Sequence, residues 1–142
     1  MKQIISSLLV VSALMAAGCS TSTPSTSTLP TTPSGPAVTE NFGGTVIVGG
    51  NDVHPFTVTS DQSPITIDLT SAGPPATITM GMGIGTFIAG TCQLSTGGAT
   101  QAAASTTPQL QGTVAAGPYC FMVYDVGNES VPVTYTAVIN HY

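Results

Sequence analysis

Ile65-Thr66-Ile67-Asp68-Leu69-Thr70, leading into Ser71-Ala72-Gly73-Pro74-Pro75, decides the fold class. Large apolar side chains take every odd position and hydroxyl or carboxylate side chains every even one. That period of two sends them to opposite faces of a strand, and Gly-Pro-Pro ends it. The pattern recurs outward in both directions. Upstream, Phe42–Val48 closes at Gly49-Gly50-Asn51-Asp52, and His54–Thr59 sets Phe56 and Val58 against Thr57 and Thr59. Downstream, Ile78, Met80, Met82 and Ile84 alternate with Thr and Gly, and a short strand spans Thr86–Leu94. Gln109–Ala115 points Leu110 and Val114 inward, and Tyr119–Val126 is apolar on both faces, as a central strand is. Val131–Tyr142 puts Val131, Val133, Tyr135, Ala137 and Ile139 on one face. No stretch sustains a helical period. Short strands separated by Gly, Pro and Asn turns predict an all-β antiparallel sandwich of about eight strands. Its predicted inter-sheet core is Ile65, Ile67, Leu69, Ile78, Met80, Val114, Phe121, Val123, Tyr135 and Ile139. Gly81-x-Gly83-x-Gly85 marks bulges or close sheet contact; without a following helix or a lysine it is no phosphate loop.

Lys2 is the only Lys or Arg in the chain. Past it, nothing neutralises phosphates or forks onto a carboxylate, which excludes nucleic-acid binding. Six acids remain, Glu40, Asp52, Asp61, Asp68, Asp125 and Glu129, on a surface otherwise built from neutral polar residues.

Lys2 precedes an apolar run, Ile4 to Ala17, that ends in Ala16-Ala17-Gly18-Cys19. Cation, short apolar segment and small residues in that order read as a secretory signal, too short to cross ~30 Å of hydrocarbon comfortably. Its Gly-Cys end resembles the lipobox of bacterial lipoproteins. The resemblance implies cleavage before Cys19, lipidation of that cysteine, and residence in the bacterial cell envelope, anchored to the outer membrane or cell surface. Three segments follow: a leader at 1–18, the lipidated Cys19 with a Ser/Thr/Pro-rich tether at 19–39, and a folded domain at 40–142. The tether has one leucine, no aromatic and no charge, so it cannot offset the entropy of ordering its backbone. With Cys19 lipidated, Cys92 and Cys120 are left as a pair, and an exported pair is expected to form a disulfide. Its closed loop is worth about 3–4 kcal/mol in the chain-entropy model. A metal or reactive-thiol role lacks a CxxC partner or adjacent His.

The block Gly112–Asn128 (GTVAAGPYCFMVYDVGN), followed by the closing VTYTAVINHY, resembles the bacterial prepeptidase C-terminal (PPC) domain. Gly117, Tyr119 and Val123 match its glycine turn and "G-x-Y-x-x-x-V" strand, and Tyr135 and Ile139 its last strand, where Ala137 departs from the family's Val or Leu. The resemblance implies a jelly-roll-like β-sandwich that accompanies secreted enzymes or stands alone on surface proteins. Some relatives bind calcium or polymers such as collagen. The usual acidic calcium cluster is not evident here.

Catalysis needs a nucleophile, a base and an orienting group. His54 with Asp52 or Asp125 supplies base and orienter, but no Gly-x-Ser-x-Gly elbow accompanies them, and His141 sits at a position prone to fraying. No catalytic residue and no cofactor is expected. Asn51, Asp52, Asp125, Asn128 and Glu129 are weak oxygen-ligand candidates for calcium, lacking Asp-x-Asp-x-Asp spacing; turns use Asn and Asp for their own backbone bonds. Asn128-Glu129-Ser130 is a formal sequon, read as a turn. Thr57, Thr59, Thr77, Thr79, Thr134 and Thr136 offer a flat binding face or are simply good strand formers. Tyr119, Tyr124, Tyr135 and Tyr142 are the aromatic candidates for carbohydrate. The expected function is a non-catalytic, membrane-anchored envelope module for binding or architecture, with an unknown protein or polysaccharide ligand. The alternative is a calcium- or carbohydrate-dependent adhesion module, and a distant third is a small secreted hydrolase.

Overall fold

A computed structural model describes residues 35–142. The leader, Cys19 and most of the tether lie outside the described residues. The strands are β1 (Val38–Val46), β2 (Asn51–Val58), β3 (Ser63–Gly73), β4 (Thr79–Ile88), β5 (Thr91–Ala103), β6 (Leu110–Val114), β7 (Gly117–Tyr124) and β8 (Val133–His141). Two four-stranded sheets form, ordered β1-β8-β3-β6 and β2-β7-β4-β5.

The antiparallel pairs are nested: β1 with β8, β2 with β7, β3 with β6 and β4 with β5. The chain is thus one long hairpin whose innermost turn joins β4 to β5. Rolling that ribbon adds the pairs β3–β8 and β4–β7, which complete the two sheets. This connectivity is the jelly roll. Alternation fills the space between the sheets. The predicted core residues are all buried except Val114, which is half-buried on the edge strand β6. Val46, Phe56, Val58, Ala72, Met82, Ile84, Val133 and Ala137 complete the core.

Four sequence expectations are corrected. The strand placed at 86–94 straddles a tight turn, where Ala89 (φ 51°) and Gly90 (φ 81°) both take left-handed backbone. A two-residue hairpin needs that geometry at both positions, but alanine gives none of the usual Asn-Gly signal. Residues after Leu94, rich in Gly, Ser and Thr, continue as β5 because an edge strand has no second neighbour to demand apolar alternation. β1 begins at Val38, ahead of the expected Phe42 and of the boundary at Glu40, because it pairs with β8 as far as His141. Val131 is exposed and precedes β8, which starts at Val133.

The last correction concerns the C-terminal residues, which do not fray. His141 is buried, and the Tyr142 carbonyl accepts from the N–H groups of Thr59 and Ser60 at 3.2 and 3.3 Å. The Tyr142 N–H donates to Ser63 Oγ at 2.8 Å. β8 lies between β1 and β3, so its end is held on both sides.

The glycines of β4 do what close contact requires. The β4–β5 register shifts between Gly83 and Gly85, and a Cβ on Gly85 would collide with the Gln93 carbonyl. Past this bulge the hairpin curls toward β7, and Cys92 is bonded to Cys120 with Cα atoms 5.9 Å apart. Strands flanking a central one in a flat sheet would stand about 9.5 Å apart, so the curl is what brings the pair within reach.

Phe121→Ala is expected to cost about 3–5 kcal/mol, and Thr66→Ala, on the outer face, under about 0.5 kcal/mol. Melting with and without reductant measures both; equal losses would refute the register. Gly85→Ala is expected to cost about 1–3 kcal/mol by overpacking. The same change at Gly112, where an added Cβ meets nothing within 4 Å, is expected to stay within about 0.5 kcal/mol.

Candidate functional site

The two long sides of the sandwich differ. On one, the β1–β2 turn (Gly50 N–H to Ile47 carbonyl, 2.7 Å) joins the sheets, and Phe42 of β1 stacks on His54 of β2 at 4.9 Å. On the other, β5 and β6 are the free edges, and a groove of about 340 Å³ lies between them. Its apolar floor includes Ile65, Ile67, Ile84, Leu110 and Tyr119; Ser95, Thr96, Gln111 and Thr113 supply hydroxyls and an amide. From Leu69 to Tyr124 the chain has no Asp, Glu, Lys, Arg or His. The groove therefore offers hydrogen-bonding groups and apolar surface without charge.

Gln109 fixes the start of β6. Its Oε1 accepts from Leu69 N–H at 2.7 Å and its Nε2 donates to the Leu69 carbonyl at 3.2 Å. The side-chain amide thus pairs with β3 as a peptide group would, just where a bulge between Leu69 and Ser71 breaks the β3–β8 register. Tyr119 is set by its hydroxyl, which donates to the Ala115 carbonyl at 3.1 Å, and by Phe56, stacked at 5.8 Å. Sequence reasoning found Tyr119 but missed Gln109, because an amide standing in for backbone leaves no periodic signature.

The structure brings Asp52 and His54 together, around a partner the sequence did not suggest. The buried Tyr135 hydroxyl donates to Asp52 Oδ2 at 3.0 Å and lies 2.8 Å from His54 Nε2. With its proton on Asp52, the phenol oxygen accepts from His54, which places a proton on Nε2. Asp52 Oδ2 is also 3.4 Å from His54 Nε2. Burial, then the bond and charge of Asp52, hold the Tyr135 hydroxyl well above the usual phenol range. The arrangement cross-links the sheets and keeps the phenol protonated, and the His54 nitrogen that faces Asp52 is already engaged. Asp125, the other proposed orienter, is not among these contacts. His141 Nε2 lies 3.3 Å from Glu40 Oε1 at the other end of β1.

The five calcium candidates do not form one ligand sphere. Asp52 is turned to Tyr135. Asp125 is a backbone clamp: Oδ2 accepts from Gly49 N–H at 2.8 Å, and Oδ1 from the N–H groups of Gly127, Asn128 and Glu129 at 2.7, 3.1 and 3.2 Å. These bonds, that of Gly49 foremost, lower its pKa. Asn128 donates its amide to the Thr79 carbonyl at 3.1 Å, the same nitrogen a sequon would modify. Glu129 is buried with neither carboxyl oxygen partnered, and burial first, then the Asp125 charge, raises its pKa. Asn51 pairs with Tyr124. Among the described residues no three His, Cys, Asp or Glu side chains are placed to hold a metal.

The tyrosines and threonines also separate. Tyr119 lines the groove, Tyr135 is in the core, Tyr124 lies over Gly81, and Tyr142 sits in a small recess with Pro64 and Asn140. Thr134 and Thr136 belong to one sheet and Thr57 and Thr79 to the other. Thr136 Oγ1 lies 2.8 Å from Thr70 Oγ1 and 2.6 Å from Ser71 Oγ, so these hydroxyls satisfy one another. Asp68, on that outer face, has Oδ1 unpartnered, and burial raises its pKa.

No protein-family model, curated protein or solved structure matches the chain. The site therefore rests on its own geometry.

Tyr135→Phe removes the donor to Asp52 and is expected to cost about 1–2 kcal/mol, measured by chemical denaturation. For Glu129, the raised folded-state pKa means the native state holds the proton more tightly than the unfolded chain. Below about pH 4 both states are protonated and there is no penalty; as pH rises toward and through the folded value, stability is lost. Glu129→Gln is therefore expected to raise Tm at pH 7, with the gain disappearing at pH 3.5.

Proposed function

We propose that this protein is a non-catalytic module, lipid-anchored through Cys19 in a bacterial cell envelope, that binds a neutral, extended polysaccharide along the β5–β6 groove. The charge-free groove is the observation that carries this reading. A neutral sugar chain presents hydroxyls and apolar ring faces, which match Gln111, Thr113, Ser95 and the apolar floor around Tyr119. An acidic or basic polymer would find no counter-charge there. The resemblance to PPC domains, some of which bind polymers, points the same way. His54 has no catalytic part in this reading, since its Nε2 serves Tyr135 and Asp52. The anchor rests on the Ala16-Ala17-Gly18-Cys19 sequence and the tether behind it.

Glycan arrays followed by titration test the ligand. Affinity for a neutral polysaccharide is expected to be unchanged between low and high salt, because no charge pair is there to be screened. Gly112→Tyr, which projects into the groove from a position where an added Cβ meets no atom within 4 Å, is expected to weaken binding at least about tenfold while Tm stays within a few degrees. Undiminished binding would refute the groove. Cys19→Ser is expected to leave the protein unacylated and no longer held in the membrane fraction, measured by fractionation and intact-mass spectrometry.

A further inference from the structure

The β4–β5 hairpin ends in Phe87-Ile88-Ala89-Gly90, with Phe87 46% and Ile88 51% exposed. We propose that this tip docks into the surface of the lipid bilayer that carries the anchor, a proposal that rests on the lipid-anchored reading above.

The first support is where the chain enters the domain. A Cβ on Gly35 would lie 2.5 Å from Ser60 Oγ, and Val38 stands opposite His141. β2 finishes at this same end, with Val58 opposite Gly117. β4 crosses Cys120 at Gly85 and continues toward the Gly117 end as far as Ile88. The hairpin tip and the tether therefore share one end of the sandwich.

The second support is reach. Cys19 and Gly35 are 16 positions apart (35 − 19), so whatever path the chain takes they cannot be more than about 55 Å from one another. The anchor thus holds this end near the bilayer. Two apolar side chains would bind lipid weakly alone, but tethering makes the contact intramolecular, at an effective concentration in the millimolar range. Their burial at the headgroup boundary then adds to the acyl chains.

The third support is charge. The hairpin belongs to the segment without Asp, Glu, Lys, Arg or His. Of the acids at this end, Glu40 faces His141, and Asp61 Oδ1 accepts from Ala116 N–H at 3.0 Å. With no Lys or Arg among the described residues, the fit is to a zwitterionic lipid surface. Ile47 and Val48 are as exposed, but they lie in the β1–β2 turn at the opposite end, beside Asp125.

The chain has no tryptophan, so one indole can report each end. Ile88→Trp and, as a control, Ile47→Trp are made in the full-length acylated protein and reconstituted into phosphatidylcholine vesicles containing doxyl-labelled lipid. The indole at position 88 is expected to shift to the blue and to be quenched at least about threefold more than that at 47. Phe87→Trp serves as a second reporter should Ile88→Trp misfold. Equal quenching at the two ends, with Cys19 acylated by intact mass, would overturn the docking and leave the anchor standing. An unacylated Cys19 would overturn both.

Discussion

The nested antiparallel pairing is the constraint on which the rest of this structure depends. Each strand meets the partner set by its distance from the β4–β5 turn, so the innermost hairpin determines the alignment of the pairs outside it. A slip of one residue in that hairpin would turn Met80, Met82 and Ile84 out of the core. The bulge at Gly83–Gly85 and the Cys92–Cys120 bond sit in this innermost turn of the ribbon. The outer pairs are held differently, by a core of alternating apolar side chains and by the hydrogen bonds of Tyr135 across the sheets.

Strand alternation was legible because it is written locally. Ile65, Ile67 and Leu69 face the core for the reason their spacing suggests, and Tyr119–Tyr124 is central because β2 and β4 pair with it on either side. The pairing of cysteines also followed from counting once Cys19 was set aside. What could not be read depends on partners distant in sequence. Ala89 adopts left-handed backbone because the curled hairpin requires it, with no residue preference to announce it. His141 is buried because two other strands flank β8, and the groove exists because β5 and β6 end up as facing edges.

The polar residues followed a related logic. Asp52, Asp125 and Asn128 carry the chemistry that suggested calcium ligands, yet a phenol engages Asp52, backbone N–H groups engage Asp125, and Asn128 donates its amide to a backbone carbonyl. A turn and a metal loop draw on the same residue types, and only the three-dimensional destination of each oxygen separates them. Glu129, buried without a partner, is the costly member of that group, and its raised pKa is the form the cost takes.

The Cys92–Cys120 bond encloses a particular piece of the molecule. The loop it closes contains most of β5, the connection through Ser105 and Gln109, all of β6 and the turn into β7. Both walls of the groove therefore lie inside a single covalent ring. A protease cutting the exposed stretch around Thr106 and Thr107 would break the chain without separating its pieces. Each half would stay joined through sulfur, its strands still paired to β3 and β4. The stretch that walls the groove is therefore also the stretch that can be nicked without being lost.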